Sequence, residues 1–514
     1  MEQIEIIQED NPNENLRKRA AGFVYAIILT VAAYLLWTAI FHENTLLFWI
    51  TTASLFAATL ILGLLCGAKP GFITIFSLVS GFIFSMYAWI NGLFFETAYI
   101  YAHAILIAYA FFVLSLFGNH NKRLRTGTFI LDAVKAIFVY PFLSFAAYFL
   151  SLFHWKTRSK KVGMAVLYAV IGIAAALMLG LIAISLLSYD PRFEALIRID
   201  FTLEDVPEAI LKLMISITVA TLLFSAFFSS KERKLDGFST QEKADSIGAR
   251  IKRIPAIVFL IPSLTLLFIY GLFFFSQWSF YMGAFSGVLP EDYTAAEYAR
   301  NGFFELCAVA ALNALLCTSF TVFAKESGNA ATVLKKAANT LLAFATLILI
   351  ATAFSKLALY IERFDLTYTR FFVAVLLFLF AVGFITLILS QWIRRVQVLP
   401  VLTVCMAALL LIAPFCNTHG RIAAYNVDRY LTRAAQSEDD NRIDIDYLTD
   451  ELGDAAIPEA IRLLGSGKLD PTDAANLRHS LESKYLELKD LENSRHSLAS
   501  RKALQALRSF FELN

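Results

Sequence analysis

Histidine and cysteine are scarce in this chain, with 7 and 5 residues respectively among 514. A zinc site needs several converging ligands of these types, and neither an HExxH pair nor a pair of CxxC motifs occurs. The GxxxxGK[ST] phosphate loop, the GxSxG nucleophile elbow and the GxGxxG dinucleotide motif are also missing. We therefore identify no catalytic residue, metal ligand or cofactor site, and we expect neither an enzyme nor an ATP-driven pump.

Charged residues are sparse as well, at 17% of the chain against 58% hydrophobic residues. A soluble core does not need this much apolar side chain, so the composition predicts an integral membrane protein whose main partner is the lipid bilayer. The formal net charge of +2 is nearly balanced. We expect no nucleic-acid partner.

Apolar runs long enough to cross a bilayer recur along the chain and predict an all-α polytopic bundle in residues 20–415. Residues 1–19 are polar for too long to form a signal peptide and are predicted to be a cytoplasmic tail. The eleven predicted spans are Ala20–Phe41, Leu46–Cys66, Phe72–Ile90, Ala98–Phe117, Val162–Leu187, Ala209–Phe228, Ile254–Phe275, Gly302–Phe323, Asn339–Ile361, Phe371–Gln391 and Val398–Pro414.

One further apolar run, Phe129–Trp155, is interrupted by Asp132, Lys135 and Pro141. Basic residues flank it on both sides, so the positive-inside rule places both of its ends in the cytoplasm. We interpret it as two short helices that lie at the inner interface or dip into the membrane and return, with Pro141 opening the second. A short hairpin that crosses twice gives the same topology.

Lysine and arginine concentrate in alternate connections, which predicts that the N-terminus is inside. An odd number of crossings then places the C-terminus outside. The outer connection 188–208 is rich in acidic residues with interleaved apolar ones. It is predicted to be an amphipathic outer lid, or simply a helix lying at the level of the lipid headgroups.

Residues 416–514 have the composition of a soluble region, with apolar residues at helical spacing. Pro458 and Pro471 stand where helix starts are expected. We predict a small extracytoplasmic domain of three or four helices. Such a module offers contact surfaces rather than a dry pocket, so it could bind a protein partner.

Ionisable residues at membrane depth are costly and are therefore candidates for function. Glu305 and Lys356 each lie about one turn inside the outer ends of the eighth and ninth spans, and we predict that they pair. The candidate outward-facing polar vestibule contains Glu297, Arg300, Glu305, Lys356, Tyr360 and Arg363. A structural ion pair, or extension of Lys356 to the interface, explains the same pattern without a function.

Five stretches in a fixed order carry a family resemblance. They are YDPRF at 189–193, EYARNGFFEL at 297–306, ALYIERFDLTYTR at 358–370, YNVDRY at 425–430 and DIDYLTDELGDAAIP at 444–458. Together they resemble the bacterial multi-pass membrane family catalogued as domain of unknown function 4173, with the related family 4153 as the nearest alternative. YDPRF departs from the family pattern at Tyr189 and Arg192. The resemblance implies a bacterial cell membrane protein without an assigned activity, and it transfers no site residue.

These observations favour a non-catalytic cell-envelope scaffold, sensor or regulator that reads a partner or signal through the C-terminal helices. The alternative is a transporter or lipid-handling protein whose substrate meets the polar vestibule. Broken helices or inverted repeats are typical of transporters, and the sequence offers only the interruption at Pro141 and the pair Pro255 and Pro262.

Overall fold

The chain folds into an all-α polytopic bundle. The computed structural model describes residues 12–92, 95–121, 125–152, 205–276, 303–325, 329–393, 395–435, 442–491 and 495–512. Within these residues the regular structure is helical, apart from an isolated parallel bridge between Ile254 and Ala324. Eleven of the described helices are long and apolar enough to cross a membrane. The chain is therefore an integral membrane protein.

Contacts between helices divide the chain into two compact units. The first contains residues 1–120, 132–238 and 492–497, and the second contains the rest. The helices of the first unit, together with α5, which leads into it, are α1 (Pro12–Phe41), α2 (Thr45–Leu65), α3 (Phe72–Asn91), α4 (Phe95–Leu116), α5 (Thr126–Val134), α6 (Tyr140–Leu143), α7 (Phe145–Leu152) and α8 (Asp205–Lys231). A π-helical turn, Lys135–Val139, joins α5 to α6.

Close packing and a small polar network hold the first unit together. α1 packs against α2 and α8, and α3 packs against both α2 and α4. Gly81 of α3 leaves room for the buried ring of Phe56, because a Cβ atom there would lie 2.3 Å from the ring. The hydroxyl of buried Tyr25 lies 2.9 Å from the Thr59 hydroxyl and 3.2 Å from the Tyr109 hydroxyl. These three side chains satisfy one another inside the bundle, as buried polar groups require.

Residues 126–152 are named the re-entrant segment after their predicted course; α6 and α7 pack against α8, and α7 also packs against α1. Tyr140 donates to the backbone oxygen of Lys234, just beyond the end of α8. Ser151 packs against Gly22, at the start of the first span. The deepest bond joins Tyr148 to Thr30 at 2.6 Å, about 13 Å into that span at the rise of an α-helix. The re-entrant course stays a prediction, and Thr126–Leu143 is itself long and apolar enough to span a membrane.

The break in the re-entrant segment differs from the predicted one. Pro141 lies in the first turn of α6, but the helix continues from the π-helical turn into α6 and is interrupted at Ser144 instead. Proline lacks only its own N–H and is tolerated in a first turn. The interruption at Ser144 depends on side chains of α8, described below.

The second unit contains the other membrane helices and the C-terminal helices. They are α9 (Gln241–Ile251), α10 (Ile257–Ser276), α11 (Phe303–Phe323), α12 (Asn329–Phe364), α13 (Tyr368–Trp392), α14 (Val398–Ile412), α15 (Thr418–Ala435), α16 (Ile457–Gly465), α17 (Pro471–Asp490) and α18 (Leu498–Glu512). α12 is central, since it packs against α10, α11 and α13. Its polar contacts include Asn313 of α11, which bridges Tyr270 and Thr346, each at 2.9 Å.

The C-terminal helices share a hydrophobic core of their own. Its fully buried side chains come from α15 to α18 and from the turns between them, and Leu366 and Tyr368 pack against it from the connection between α12 and α13. Among the described residues after Asn417 there are four α-helices, which agrees with the predicted three or four. Pro458 and Pro471 lie in the first turns of α16 and α17, as predicted.

Ten of the eleven membrane-length helices correspond to predicted spans, and the eleventh, Thr126–Leu143, overlaps the run Phe129–Trp155 that was predicted to be interfacial or re-entrant. The predicted span Val162–Leu187 and residues 188–204 of the predicted lid lie outside the described residues, while 205–208 begin α8. One helix start and one whole helix differ from the prediction. α12 begins at Asn329, ten residues before the predicted start at Asn339, and the sequence did not predict α9.

Candidate functional site

The predicted vestibule is only partly within the described residues. Glu297 and Arg300 lie outside them. Glu305 is an exposed residue in the first turn of α11, and Lys356 lies half-buried on α12, which packs against α11. The Glu305 carboxylate is near enough to Lys356 to attract its ammonium group. The specific ion pair stays a prediction.

Tyr360 and Arg363, the other two predicted residues, lead to a polar cluster at the end of α12. The guanidinium of Arg370 stacks on the Tyr360 ring, 4.3 Å from its centre. Arg363 is exposed in the last turn of the helix. The site is therefore built around the connection between α12 and α13. Tyr360 and Arg363, which were predicted from the sequence, lie at the edge of this site.

The C-terminal end of α12 is capped by arginines. The last turn of any helix leaves backbone carbonyls without helical partners and carries partial negative charge. Arg370 donates to the carbonyl oxygens of Phe364 and Asp365. Arg429 and Arg433, both on α15, donate to the carbonyl oxygen of Glu362. Three guanidinium groups thus satisfy and neutralise this helix end.

The next residues of the connection are held by α15 and by the turn that precedes α16. Asn426 is buried, and its Oδ1 accepts from the Leu366 N–H while its Nδ2 donates to the Leu366 carbonyl, both at 2.9 Å. The backbone N–H of Tyr368 donates to the Tyr447 hydroxyl at 2.6 Å. The His419 ring meets the Tyr368 ring edge-on. We call this set of contacts around residues 362–370 the turn clamp.

Asp365 is the charged centre of the turn clamp. It has a positive φ of 63°, and its Oδ1 lies 3.7 Å from Arg429 Nε and 3.6 Å from Arg433 Nη1. Burial raises the pKa of Asp365, and this effect exceeds the opposing one of the neighbouring arginines. Burial also lowers the pKa of His419 to about 4. The clamp carries more positive than negative charge and keeps His419 neutral at physiological pH.

Three of the five stretches that carried the family resemblance meet in the turn clamp. ALYIERFDLTYTR supplies Asp365 and Arg370, YNVDRY supplies Asn426 and Arg429, and DIDYLTDELGDAAIP supplies Tyr447. These residues were not predicted to form a site, because no stretch taken alone carries a recognisable site motif. Their shared family signature was the only signal that could have grouped them.

A second polar cluster lies in the first unit, where the re-entrant segment meets α4 and α8. Asp132 and Lys135 are 4% and 3% exposed, and their charged atoms lie 3.9 Å apart. Lys135 Nζ donates to the carbonyl oxygen of Asn119 at 2.6 Å. Asn119 in turn donates to the Ser230 hydroxyl at 3.0 Å. Lys135, one of the residues that interrupt the apolar run in the sequence, thus has its hydrogen-bond acceptor just after α4.

Hydroxyl groups of α8 satisfy the backbone at the helix break. The Ser144 N–H donates to Ser225 Oγ at 2.9 Å, and Ser225 Oγ donates to the Tyr140 carbonyl at 3.0 Å. Ser229 Oγ lies 2.7 Å from Ser144 Oγ, which also accepts from Lys234 Nζ at 2.8 Å. An interrupted helix at membrane depth is tolerated only when its freed backbone groups find such partners.

Comparison with protein families identifies the chain. The family model described as domain of unknown function DUF4153 matches residues 24–463. The chain belongs to the DUF4153 family. This is the related family named above as the nearest alternative, and membership of family 4173 stays a prediction. Comparisons with curated proteins and with solved structures gave no match.

The DUF4153 match covers both clusters. It includes the re-entrant segment and the turn clamp through Tyr447, and it ends in α16, before α17 and α18. The turn clamp is therefore part of the family unit. Among the described residues of this DUF4153 protein, no group of three or more His, Cys, Asp or Glu side chains is placed to hold a metal ion.

Proposed function

We propose that this DUF4153 protein is a non-catalytic scaffold, sensor or regulator of the bacterial cell envelope. In this proposal its N-terminus is cytoplasmic, its C-terminal helices lie outside, and the turn clamp couples those helices to the membrane bundle. The observation that carries the proposal is the reciprocal pair of hydrogen bonds between Asn426 and Leu366. It ties α15 to the backbone of the connection between two membrane helices.

The chemistry of the turn clamp favours coupling over catalysis. Its guanidinium groups bind backbone carbonyls, its asparagine binds a backbone amide, and its tyrosine hydroxyl accepts from another. These bonds fix the position of one element relative to another. A displacement of α15 would therefore move the ends of α12 and α13, which is the mechanical link that a sensor requires.

The C-terminal helices also present a contact surface. Leu486 on α17 is 59% exposed and offers an apolar side chain to a partner. It lies beyond the residues matched by the family model. We propose that a protein partner specific to this chain docks near this residue, while the clamp performs the function common to the family.

Complementation of a strain that lacks the gene tests the coupling. Asn426→Ala should be inserted at wild-type levels and yet fail to restore envelope integrity, whereas the exposed control Asn476→Ala should restore it. Full restoration by Asn426→Ala would contradict the coupling.

A photo-crosslinking residue at position 486 should give a defined protein adduct, and one at the exposed apolar residue Phe268 of α10 should give only lipid adducts.

A second function, transport or lipid handling, is favoured by the helix break at Ser144, because discontinuous helices are typical of transporter binding sites. Its substrate would meet the vestibule of Glu305 and Lys356. A density map of the purified protein in lipid tests it. A lipid or solute beside Glu305 would support this function, and a fully packed bundle at that position would count against it.

A further inference from the structure

Three cations of the second unit meet where the residues before α10 contact the residues after α11. A parallel bridge pairs Ile254 with Ala324, and the two backbone groups of Ile254 bond to the chain after α11 at 3.2 and 2.8 Å. Lys335 of α12 donates through Nζ to the Ala324 carbonyl oxygen at 3.5 Å. Arg253 precedes the bridge in the chain and Lys325 follows it. We call Arg253, Lys325 and Lys335 the basic bridge.

The positive charge of the basic bridge is not balanced by nearby acids of its own segments. Residues 250–258 contain three cations and no acidic residue, and the first acidic residue of α12 is Glu362, at the opposite end of the helix. The Arg253 and Lys325 side chains are exposed, and neither has an ion-pair or hydrogen-bond partner among the residues that the structure describes. Their charges are therefore available to an external anion.

The ends of three membrane helices fix the depth of the basic bridge. One candidate span begins at Ile257, three residues after the bridge, and another ends at Phe323, immediately before it. Trp392, the last residue of α13, is 57% exposed, and its ring centre lies 5.9 Å from Nζ of Lys336. Exposed tryptophans are typical of the interface between hydrocarbon and headgroups. The basic bridge therefore lies at the level of the lipid headgroups.

Large apolar side chains are exposed on the membrane side of the basic bridge. They are Ile257 and Val258 at the start of α10, and Phe323 at the end of α11. A phospholipid has the matching arrangement, with a phosphate at headgroup level and acyl chains below it. A soluble anion would contact only the cations and would leave these apolar side chains uncovered.

We propose that the basic bridge binds the phosphate of an acidic phospholipid, whose acyl chains pack against Ile257, Val258 and Phe323. Basic pockets between membrane helices bind anionic headgroups through charge-assisted hydrogen bonds of this kind. The headgroup of a zwitterionic lipid adds a positive charge, which these cations repel, so the site selects a lipid with net negative charge. The bound lipid joins the ends of α10, α11 and α12. This site is independent of the turn clamp and of the vestibule.

Native mass spectrometry of the full chain, released from detergent micelles, tests the selectivity. Phosphatidylglycerol should bind more tightly than phosphatidylcholine. Arg253→Gln/Lys325→Gln should weaken the tightest phosphatidylglycerol site about 30-fold, which corresponds to about 1 kcal/mol for each cation. The matched control Lys502→Gln/Arg508→Gln removes the same two residue types from the exposed face of α18 and should leave the affinity unchanged. Equal affinities for the two lipids, or equal weakening in the two variants, would overturn the proposal.

A photoactivatable phosphatidylglycerol locates the site and identifies the source of the phosphate. Its adducts should concentrate in residues 254–258 and 322–325, and unlabelled phosphatidylglycerol should reduce them. The charge-retaining variant Arg253→Lys/Lys325→Arg should keep these adducts, because the site depends on charge rather than on one side-chain shape. Soluble glycerol phosphate at the same concentration should not compete. Full competition by glycerol phosphate, or adducts confined to other segments, would overturn the lipid site.

Discussion

Substitution of Asn426 by alanine tests the turn clamp most directly. The change leaves the N–H and the C=O of Leu366 without the two bonds that Asn426 provides at 2.9 Å. An unsatisfied buried polar group costs about 1 to 3 kcal/mol. Because the Leu366 backbone is partly rather than fully buried, we expect the lower part of that range for each group. The sum is a loss of about 2 to 4 kcal/mol.

Hydrogen–deuterium exchange of the Leu366 amide measures this loss locally. A tenfold change corresponds to about 1.4 kcal/mol, so exchange should become roughly 30-fold to several-hundred-fold faster. Thermal unfolding of the same variant in nanodiscs should show a lower midpoint. Asn476→Ala on the exposed face of α17 is the matched control, and it removes an asparagine without removing a backbone partner. Equal exchange at Leu366 in both variants would refute the proposed role of Asn426.

Three further predictions concern other contacts. The pKa of His419 is lowered to about 4 by burial, so the unfolded state binds more protons than the folded state between pH 6.5 and 4. Thermal unfolding should therefore show that stability falls by up to about 3 kcal/mol as the pH drops through that window. His419→Gln should remove this pH dependence. Glu305→Gln and Lys356→Met should each lower the unfolding temperature, and the double variant should recover part of the loss; additive effects would contradict the ion pair. Gly81→Ala should destabilise by about 1 to 3 kcal/mol through overpacking, while Gly271→Ala, which meets open space, should not.

The membrane helices could be predicted from the sequence because the bilayer imposes a strong constraint. A spanning segment must satisfy its own backbone and present apolar side chains to lipid, so its length and composition reveal it. The same constraint ends at the membrane surface, which explains the error in α12. Its first turns contain Lys335 and Lys336, and hydropathy detects the part of a helix that lies in lipid rather than the whole helix. α9 is polar and was missed for the same reason.

The turn clamp could not be predicted from periodicity. Asn426 and Leu366 are 60 residues apart, and the bonds between them join a side chain to backbone atoms. Hydrophobic patterning shows which face of α15 is buried, but it does not show which backbone group a buried asparagine will bind. The family resemblance selected the correct stretches without giving the physical reason, which is the capping of α12 by residues distant in sequence.

Both clusters supply side-chain partners to backbone groups at a helix end or break. They use different side chains, and the depth of each cluster in the membrane bundle explains the difference. A helix end or break frees backbone groups that need partners. At the end of α12, which is also the end of the candidate span Asn329–Phe364, arginines perform this task, because their charges can remain partly solvated. At Ser144, inside the bundle, the main partners are the neutral hydroxyls of Ser225 and Ser229, since a charged donor would carry a larger desolvation cost there. Lys135 combines both features, since it is charged and almost fully buried and still satisfies a backbone group, the carbonyl oxygen of Asn119 just beyond α4.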